Sequence, residues 1–178
     1  MYSNDERNEV IQYLDQTRGG LIDAVASLTE NQANFKPAPD AWSVAGIVEH
    51  LAIVEDRVIA RISQMLESVP SSSNSGIESN DADLFGKVAD RSQKVQAPAP
   101  IHPTGQPLAS SLERLTVTRG VLDGLIQSVP SDFRRRSMPH PVLGPLDGHQ
   151  WLVTLAGHCS RHTQQILETK SAPQFPDR

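Results

Sequence analysis

Apolar residues recur every three or four positions in four separate stretches of the chain, which is the spacing of one face of an α-helix. The first stretch follows Ser3 and Glu6, which have the spacing of a helix capping box. It contains Gly19 and Gly20, a pair that could mark a bend or a close contact with another helix. Its apolar positions are Val10, Ile11, Leu14, Leu21, Ile22, Val25 and Leu28. The pattern predicts a first helix that starts directly after Ser3.

A second apolar stripe begins after a loop that the prolines of NFKPAPDAWS indicate. Ser43 is a suitable N-cap for this helix, and Trp42 before it is placed to pack on Ile47. The stripe comprises Val44, Ile47, Val48, Leu51, Val54, Val58, Ile62, Met65 and Val69. The pattern predicts a long second helix that ends before Pro70.

The segment from Pro70 to Pro107 is rich in Ser, Asn and Pro and has no sustained period. Within it, Ile77 to Val88 could form one short amphipathic turn or helix. A gap of this length between helices is typically functional or mobile.

Helical spacing resumes after this gap and returns once more near the end of the chain. The third stripe comprises Leu108, Leu112, Leu115, Leu122, Ile126 and Val129, and Pro130 follows it. The fourth comprises Leu152, Leu155, Cys159, His162 and Ile166. Asp147 is an acceptable N-cap for the fourth helix, with Gln150 at the third helical position and Leu146 placed to pack on Trp151.

Four helical stripes with no convincing strand pattern predict an all-α four-helix bundle with a long loop between helices two and three. We expect a single domain at 1–170 and a C-terminal tail at 171–178. Because the long loop could span the whole bundle, the pattern allows a crossover connection as well as simple up-and-down packing.

Composition excludes some classes of function. The 178 residues carry 16 basic and 21 acidic side chains and a net charge of −5, so the chain lacks the positive field of a nucleic-acid-binding protein. The local exception is Arg134-Arg135-Arg136, which we interpret as solvated surface. No apolar run is long enough for a membrane span, so we expect a soluble protein. The single cysteine, Cys159, excludes an internal disulfide and is compatible with the cytoplasm; its place in the stripe predicts a buried core residue.

The fourth stripe also contains the main candidate for chemistry, the pair His158 and His162. Residues four apart in a helix share one face, so both rings can reach a single ion. A buried imidazole needs a partner, because an unpaired buried polar group costs about 1–3 kcal/mol. The alternative is a pair of ordinary core histidines that bond to the backbone or to Gln165.

A metal centre would need a third ligand, and the pattern leaves the choice open among the remaining histidines and a carboxylate. By helical position His149 lies opposite His158, which predicts surface exposure. His50 is on the flank of its stripe and could face a helix or solvent. His102 and His140 lie in proline-rich loops. The acidic candidates for a general base, Glu49, Glu55 and Asp56, do not share the His50 face of their helix.

Two stretches, AWSVAGIVEHLAIVEDRV and HPVLGPLDGHQWLVTLAGHCSRHTQQI, resemble the DinB-like superfamily in its DinB_2 branch. The shared pattern is Trp and Ser at the start of helix two, a histidine two turns later, and the spacing of His158, Arg161, His162 and Gln165 in helix four. The resemblance extends from Ser3 to Leu167, apart from the long gap.

The resemblance implies a four-helix bundle that binds a divalent metal, typically nickel or zinc, through His50, His158 and His162. It also implies an enzyme acting on a small molecule, since the superfamily includes transferases and isomerases that use low-molecular-weight thiols. Other members are metal hydrolases or have no known activity, and members are commonly homodimers. We therefore expect a thiol-dependent S-transferase, with a hydrolase or a non-catalytic metal- or partner-binding bundle as alternatives.

Three further residues are candidates to orient the histidines or the substrate. Gln165 follows His162 by three residues, and metal-binding histidines need an outer hydrogen-bond partner to set their tautomer. Arg161 could do the same or form a surface salt bridge. His140 and the long loop could form walls of the site.

Overall fold

The structure, a computed structural model, describes residues 1–73, 76–77, 80–92 and 96–177. Four long helices form a bundle: α1 Asn4–Val25, α3 Val44–Leu66, α5 Leu108–Ser128 and α6 Gly148–Lys170. The shorter elements are α2 Glu30–Asn34, α4 Asp81–Ala89, two 3-10 turns at Ala99–Ile101 and Phe133–Arg135, and an antiparallel hairpin of β1 Ser137–His140 and β2 Gly144–Asp147. The predicted four-helix bundle is confirmed.

The helix starts agree with the sequence, because a cap depends on side chains within one turn. The capping boxes at Ser3 and at Asp147 are both formed, and the Ser43 hydroxyl accepts a hydrogen bond from the amide of Gly46 at 3.1 Å. Helix ends are less regular: α3 stops at Leu66, one turn earlier than expected. Gly19 makes no close contact that an added side chain would disturb, and neither does Gly20.

Two elements are not predicted by the sequence pattern, and one of them, the hairpin, contradicts the expectation that no stretch forms a strand. Helix α2 is a single capped turn, too short to show a period. The hairpin strands have four residues each and pair Pro139 with Pro145, and proline normally argues against a strand. The prolines are tolerated because a two-stranded hairpin consists of edges only.

Contacts along the helices determine their directions. Tyr2 at the start of α1 meets His149 at the start of α6, and Lys170 at the end of α6 donates to the Ala24 carbonyl at the end of α1. Helices α1 and α6 are therefore parallel neighbours. Helices α3 and α5 are also parallel: their first residues belong to one apolar cluster, while Ile62 and Ile126 near their ends belong to another.

Because α3 and α5 are parallel neighbours, the segment between them must return along the full length of the bundle. This segment, 67–107, is hereafter the crossover. It contacts the start of α6 where Ile77 bonds Gln150, and the end of α6 where Arg91 pairs with Glu168. Leu84 in α4 is 1% exposed and belongs to the core. The long gap is thus a packed crossover, and among the described residues no helix is long and apolar enough to cross a membrane.

A buried polar network closes the end of the bundle where α1 and α6 begin. The guanidinium of Arg134 pairs with Glu6 at 2.5 Å, Asp81 at 2.7 Å and Asp147 at 3.4 Å. His149 is fully buried and bonds the Tyr2 hydroxyl at 3.1 Å. The predictions that His149 and Arg134 lie on the surface were therefore wrong, because the N-terminus and the crossover cover a side of α6 that the helical pattern alone leaves free.

The other two arginines of the run, Arg135 and Arg136, differ in their exposure to solvent. Arg135 is exposed, as expected. Arg136 is not a solvated residue: it pairs with Asp132 at 2.8 Å and donates to the Leu66 carbonyl at 2.8 Å.

We expect Asp81→Asn to lower the free energy of unfolding at pH 7 by about 2 kcal/mol and to flatten its acid dependence. Burial alone would raise the pKa of Asp81, but hydrogen bonds from His149 and Arg134 outweigh it and lower the pKa from 3.8 to about 2. Because the folded pKa lies below the unfolded one, the stabilisation is complete above pH 4 and is lost as the pH falls towards 2. Urea denaturation at several pH values measures it.

The control is Asp83→Asn, an exposed carboxylate in the same helix, which should change the free energy of unfolding at pH 7 by less than about 0.5 kcal/mol. An Asp81→Asn protein with the wild-type slope between pH 4 and 2 would contradict the assignment.

Candidate metal centre

Three imidazole rings meet between α3 and α6. The Nε2 atom of His158 lies 3.3 Å from Nε2 of His50 and 3.2 Å from Nε2 of His162. The ligand atoms of the three residues all lie within 4.8 Å of one another. The structure therefore brings together the three histidines that the family resemblance indicated.

The convergence follows from the local structure of two helices. Ser43 sets the start of α3 and so places His50 two turns into the helix, where it is 1% exposed. His158 and His162 lie one turn apart in α6. Since α3 and α6 run antiparallel, the facing side of α3 brings His50 opposite the pair.

Hydrogen bonds to the outer ring nitrogens determine which nitrogens face inward. Nδ1 of His50 donates to the Ile101 carbonyl at 2.7 Å, because a carbonyl can only accept. Nδ1 of His162 bonds the amide oxygen of Gln165 at 2.8 Å, so it too carries the proton. Both residues therefore direct an unprotonated Nε2 towards His158, which is the tautomer that binds a metal.

Burial keeps the cluster neutral. It lowers the pKa of His162 to about 3, with a further contribution from His50. Burial also lowers the pKa of His50, and together with His162 it lowers that of His158 well below the usual value. At neutral pH the three inward nitrogens can thus share at most the one proton of His158.

The donor set fits a divalent cation. Two nitrogens bound to one tetrahedral zinc at about 2.0–2.1 Å are about 3.3–3.4 Å apart, close to the two separations that involve His158. A cation would satisfy lone pairs that a single proton cannot. Nδ1 of His158 is buried and has no hydrogen-bond partner among the described residues. His158 therefore differs from His50 and His162, whose Nδ1 atoms are each hydrogen-bonded.

Trp42 forms a wall of the cluster. Its ring centre lies 4.7 Å from that of His50 and 6.4 Å from that of His162. His102 is not in the cluster: its ring centre lies 5.8 Å from that of Trp42, and its Nε2 bonds the Ala97 carbonyl. The sequence predicts that Trp42 packs on Ile47 and includes it in the family pattern with Ser43, but the contact of its ring with the histidine rings is seen only in the structure.

The other candidate residues occupy different positions. Gln165 contacts His162, as described above. Arg161 donates to the Asp90 carbonyl in the crossover. His140 packs on Trp151 with ring centres 5.0 Å apart, and its Nδ1 accepts from the amide of Val142, so it supports the hairpin turn.

The sequence does not predict the contact that Arg91 makes with Glu168 and Gln165. Its guanidinium pairs with Glu168 at 2.7 Å and reaches the Gln165 amide oxygen at 3.4 Å, so it holds the residue that orients His162. Ile101 was missed too, and no side-chain signal could reveal it, because the contact to His50 is a backbone carbonyl.

The acidic residues near His50 in the chain are all engaged elsewhere. Glu49 accepts hydrogen bonds from the crossover, Glu55 pairs with Arg119, and Asp56 pairs with Arg114. Each of the three carboxylates is therefore bonded to a group outside the histidine cluster.

Cys159 adjoins His158 in the chain but faces a different side of α6. It is 5% exposed, as predicted, and its thiol contacts the Thr17 carbonyl in α1. Burial raises the pKa of the Cys159 thiol to about 11, which makes it a poor nucleophile at neutral pH.

Comparisons with known proteins agree with this architecture. YfiT from Bacillus subtilis, described as a probable metal-dependent hydrolase with an unusual four-helix bundle topology, superposes with a TM-score of 0.65 at 19% identity, over 96% of this chain and 89% of that one. TT2238, described as a four-helix bundle protein, superposes with a TM-score of 0.61 at 17% identity, over 91% and 98% of the two chains. At these identities the similarity shows the fold.

Sequence comparison identifies the family of the chain. The uncharacterized protein YuaE of Bacillus subtilis strain 168 is 26% identical over 145 residues, which are 80% of this chain and 86% of that protein. The DinB superfamily model matches residues 13–166, a range that includes α3, most of α6 and all three histidines. The chain is a member of the DinB superfamily.

Proposed function

We propose that the protein is a divalent-metal-dependent enzyme that transfers a low-molecular-weight thiol to a small electrophilic substrate. The observation that carries the proposal is the convergence of three Nε2 atoms, two of them held unprotonated by outer hydrogen bonds. His50, His158 and His162 would hold the ion, nickel or zinc. Three neutral ligands leave the ion its full charge and room for a further ligand, as in catalytic zinc sites.

The bound ion would supply Lewis acidity, which lowers the pKa of a thiol or of water. The protein residues do the rest: Ile101 and Gln165 hold two of the rings in the binding tautomer, and Trp42 covers them on one side. A thiol that loses its proton becomes the nucleophile, and its sulfur forms the new bond to the electrophilic carbon as the leaving group departs.

Thiol transfer is preferred over hydrolysis because of where the carboxylates lie. Hydrolysis by a metal site normally uses a general base next to the reacting water. The nearby acids Glu49, Glu55 and Asp56 are already bonded to other groups. A thiol activated by the metal does not require such a base.

Metal-dependent hydrolysis is the second candidate, and the likeness to YfiT favours it. The third, a metal- or partner-binding bundle without catalysis, would have the same cluster but no turnover.

We also propose that the protein works in the cytoplasm, since a reducing compartment suits a protein whose single cysteine is free.

The test is a turnover assay with zinc- or nickel-loaded protein. Cysteine or glutathione is supplied with a chlorinated aromatic electrophile, and p-nitrophenyl esters are tested in parallel for hydrolysis. We expect thioether formation to exceed ester hydrolysis and to fall at least about a hundredfold in His162→Ala, since one of three ligands is lost. Thioether formation equal in wild type and His162→Ala would contradict the proposal, and ester hydrolysis alone would support the second candidate.

A further inference from the structure

Glu49 precedes His50 in α3 and is 2% exposed, yet no cation pairs with it among the described residues. Its carboxylate accepts four hydrogen bonds from one turn of the crossover. Oε1 accepts from the amide of Thr104 at 2.9 Å and from its hydroxyl at 2.6 Å. Oε2 accepts from the amides of Gly105 and Gln106, both at 2.9 Å. The charge is compensated entirely by hydrogen bonds from the crossover.

The turn that binds Glu49 requires a particular backbone. Three successive amides, at 104, 105 and 106, point at one carboxylate, an arrangement known as a nest. Gly105 has a φ of +97°, a region that residues with a side chain rarely adopt. Hydrogen bonds from amides to a carboxylate are about twice as strong as those between neutral groups, so Glu49 binds the turn firmly.

The same loop orients His50. Three residues before Thr104, the Ile101 carbonyl accepts from Nδ1 of His50 at 2.7 Å. Pro103, between the two contacts, packs on Gly46 one turn earlier in α3. Adjacent residues of α3 therefore each hold the crossover, one through a carboxylate and the other through its ring.

From these contacts we infer that Glu49 is a positioning residue of the metal centre. By holding the turn 104–106 it keeps the Ile101 carbonyl on the outer nitrogen of His50, and so keeps Nε2 of His50 directed at His158. Its carboxylate has a structural task and is not the general base of the reaction. Where it concerns metal affinity, the inference rests on the proposed function; where it concerns the ring of His50, it rests on the geometry alone.

The experiment uses Glu49→Ala and Glu49→Gln, with Glu55→Gln as the matched control. Glu55 is also a buried carboxylate of α3, 3% exposed, but it pairs with Arg119 and has no hydrogen bond to the crossover residues that the structure describes. The first readout is the imidazole N–H resonance of His50 in metal-free protein, seen by NMR. We expect this signal to persist in Glu55→Gln and to be lost or to exchange rapidly in Glu49→Ala.

The second readout is the zinc dissociation constant, measured by competition with a chromophoric chelator. Loss of outer partners of metal ligands typically weakens binding about 10–100-fold, so we expect roughly tenfold weaker binding in Glu49→Ala. Glu49→Gln, which keeps one acceptor, should be intermediate. Glu55→Gln should remain within about twofold of wild type, because a general loss of stability does not reach the Ile101 contact.

Folded Glu49→Ala with an unchanged His50 signal and unchanged zinc affinity would overturn the inference. If Glu49→Ala does not fold, Thr104→Val and Gly105→Ala weaken the same turn from the loop side, and wild-type affinity in both would overturn it equally. A wild-type protein that binds neither zinc nor nickel contradicts the proposed function, while the NMR readout still decides the role of Glu49.

Discussion

Replacing His158 with alanine should weaken the binding of Zn²⁺ or Ni²⁺ by roughly a hundredfold or more. Structural zinc sites of four ligands bind with about 10–16 kcal/mol, so one ligand contributes about 2.5–4 kcal/mol, which is a factor of about 100 to 1,000. His158 is the central ring of the cluster, since its Nε2 lies 3.2 Å from that of His162 and 3.3 Å from that of His50. Competition titration with a chromophoric chelator measures the effect.

A matched control is His149→Ala. His149 is a fully buried histidine of the same helix, but its partners are Tyr2 and Asp81 at the other end of α6. This variant should lose stability and keep metal affinity within about twofold of wild type, because distant sites without shared partners act independently. Equal metal affinity of His158→Ala and wild type would show that the cluster is not the binding site.

Thermal unfolding provides an independent measurement of metal binding by His158→Ala. A ligand that binds the folded state stabilises it by about 2.7 kcal/mol when present at a hundredfold excess over Kd. Zinc should therefore raise the melting temperature of the wild type and of His149→Ala. It should leave His158→Ala nearly unchanged at the same concentration.

Replacing Arg119 with methionine should destabilise the fold by about 3–5 kcal/mol, the cost of leaving one partner of a buried ion pair unpaired. Arg119 lies at the centre of the bundle, 2% exposed. It contacts Glu55 in α3 through two hydrogen bonds of 3.0 and 3.2 Å and donates to the Leu14 carbonyl in α1 at 2.9 Å. The substitution removes a link among three helices, and urea denaturation measures the loss.

Two further variants separate the buried pair from surface pairs. The double substitution Glu55→Leu with Arg119→Met should recover most of the lost stability, because apolar replacement of a whole buried pair is often neutral or favourable. Arg114→Met breaks the pair with Asp56 on the surface and should cost less than about 1 kcal/mol. If Arg119→Met costs no more than Arg114→Met, the buried pair does not hold the bundle together.

The histidine cluster could be anticipated only in part from the residues themselves. The His158 and His162 spacing follows from helix geometry, which acts within one turn. His50 is more than a hundred positions away, and its helical position left it free to face solvent or a neighbour. The family pattern indicated it, and only the antiparallel packing of α3 against α6 brings it to the pair.

What the sequence by itself determined is local: four amphipathic helices, their caps at Ser3, Ser43 and Asp147, and the facing pair in α6. These depend on interactions within about four residues, which a periodic pattern records directly. Tertiary structure alone decided the parallel pairing of α3 with α5 and the route of the crossover. It also decided the burial of His149 and the contacts of Glu49 and His50 with the loop at 101–106. Such contacts join residues far apart in the chain, and which of them meet depends on how whole helices pack.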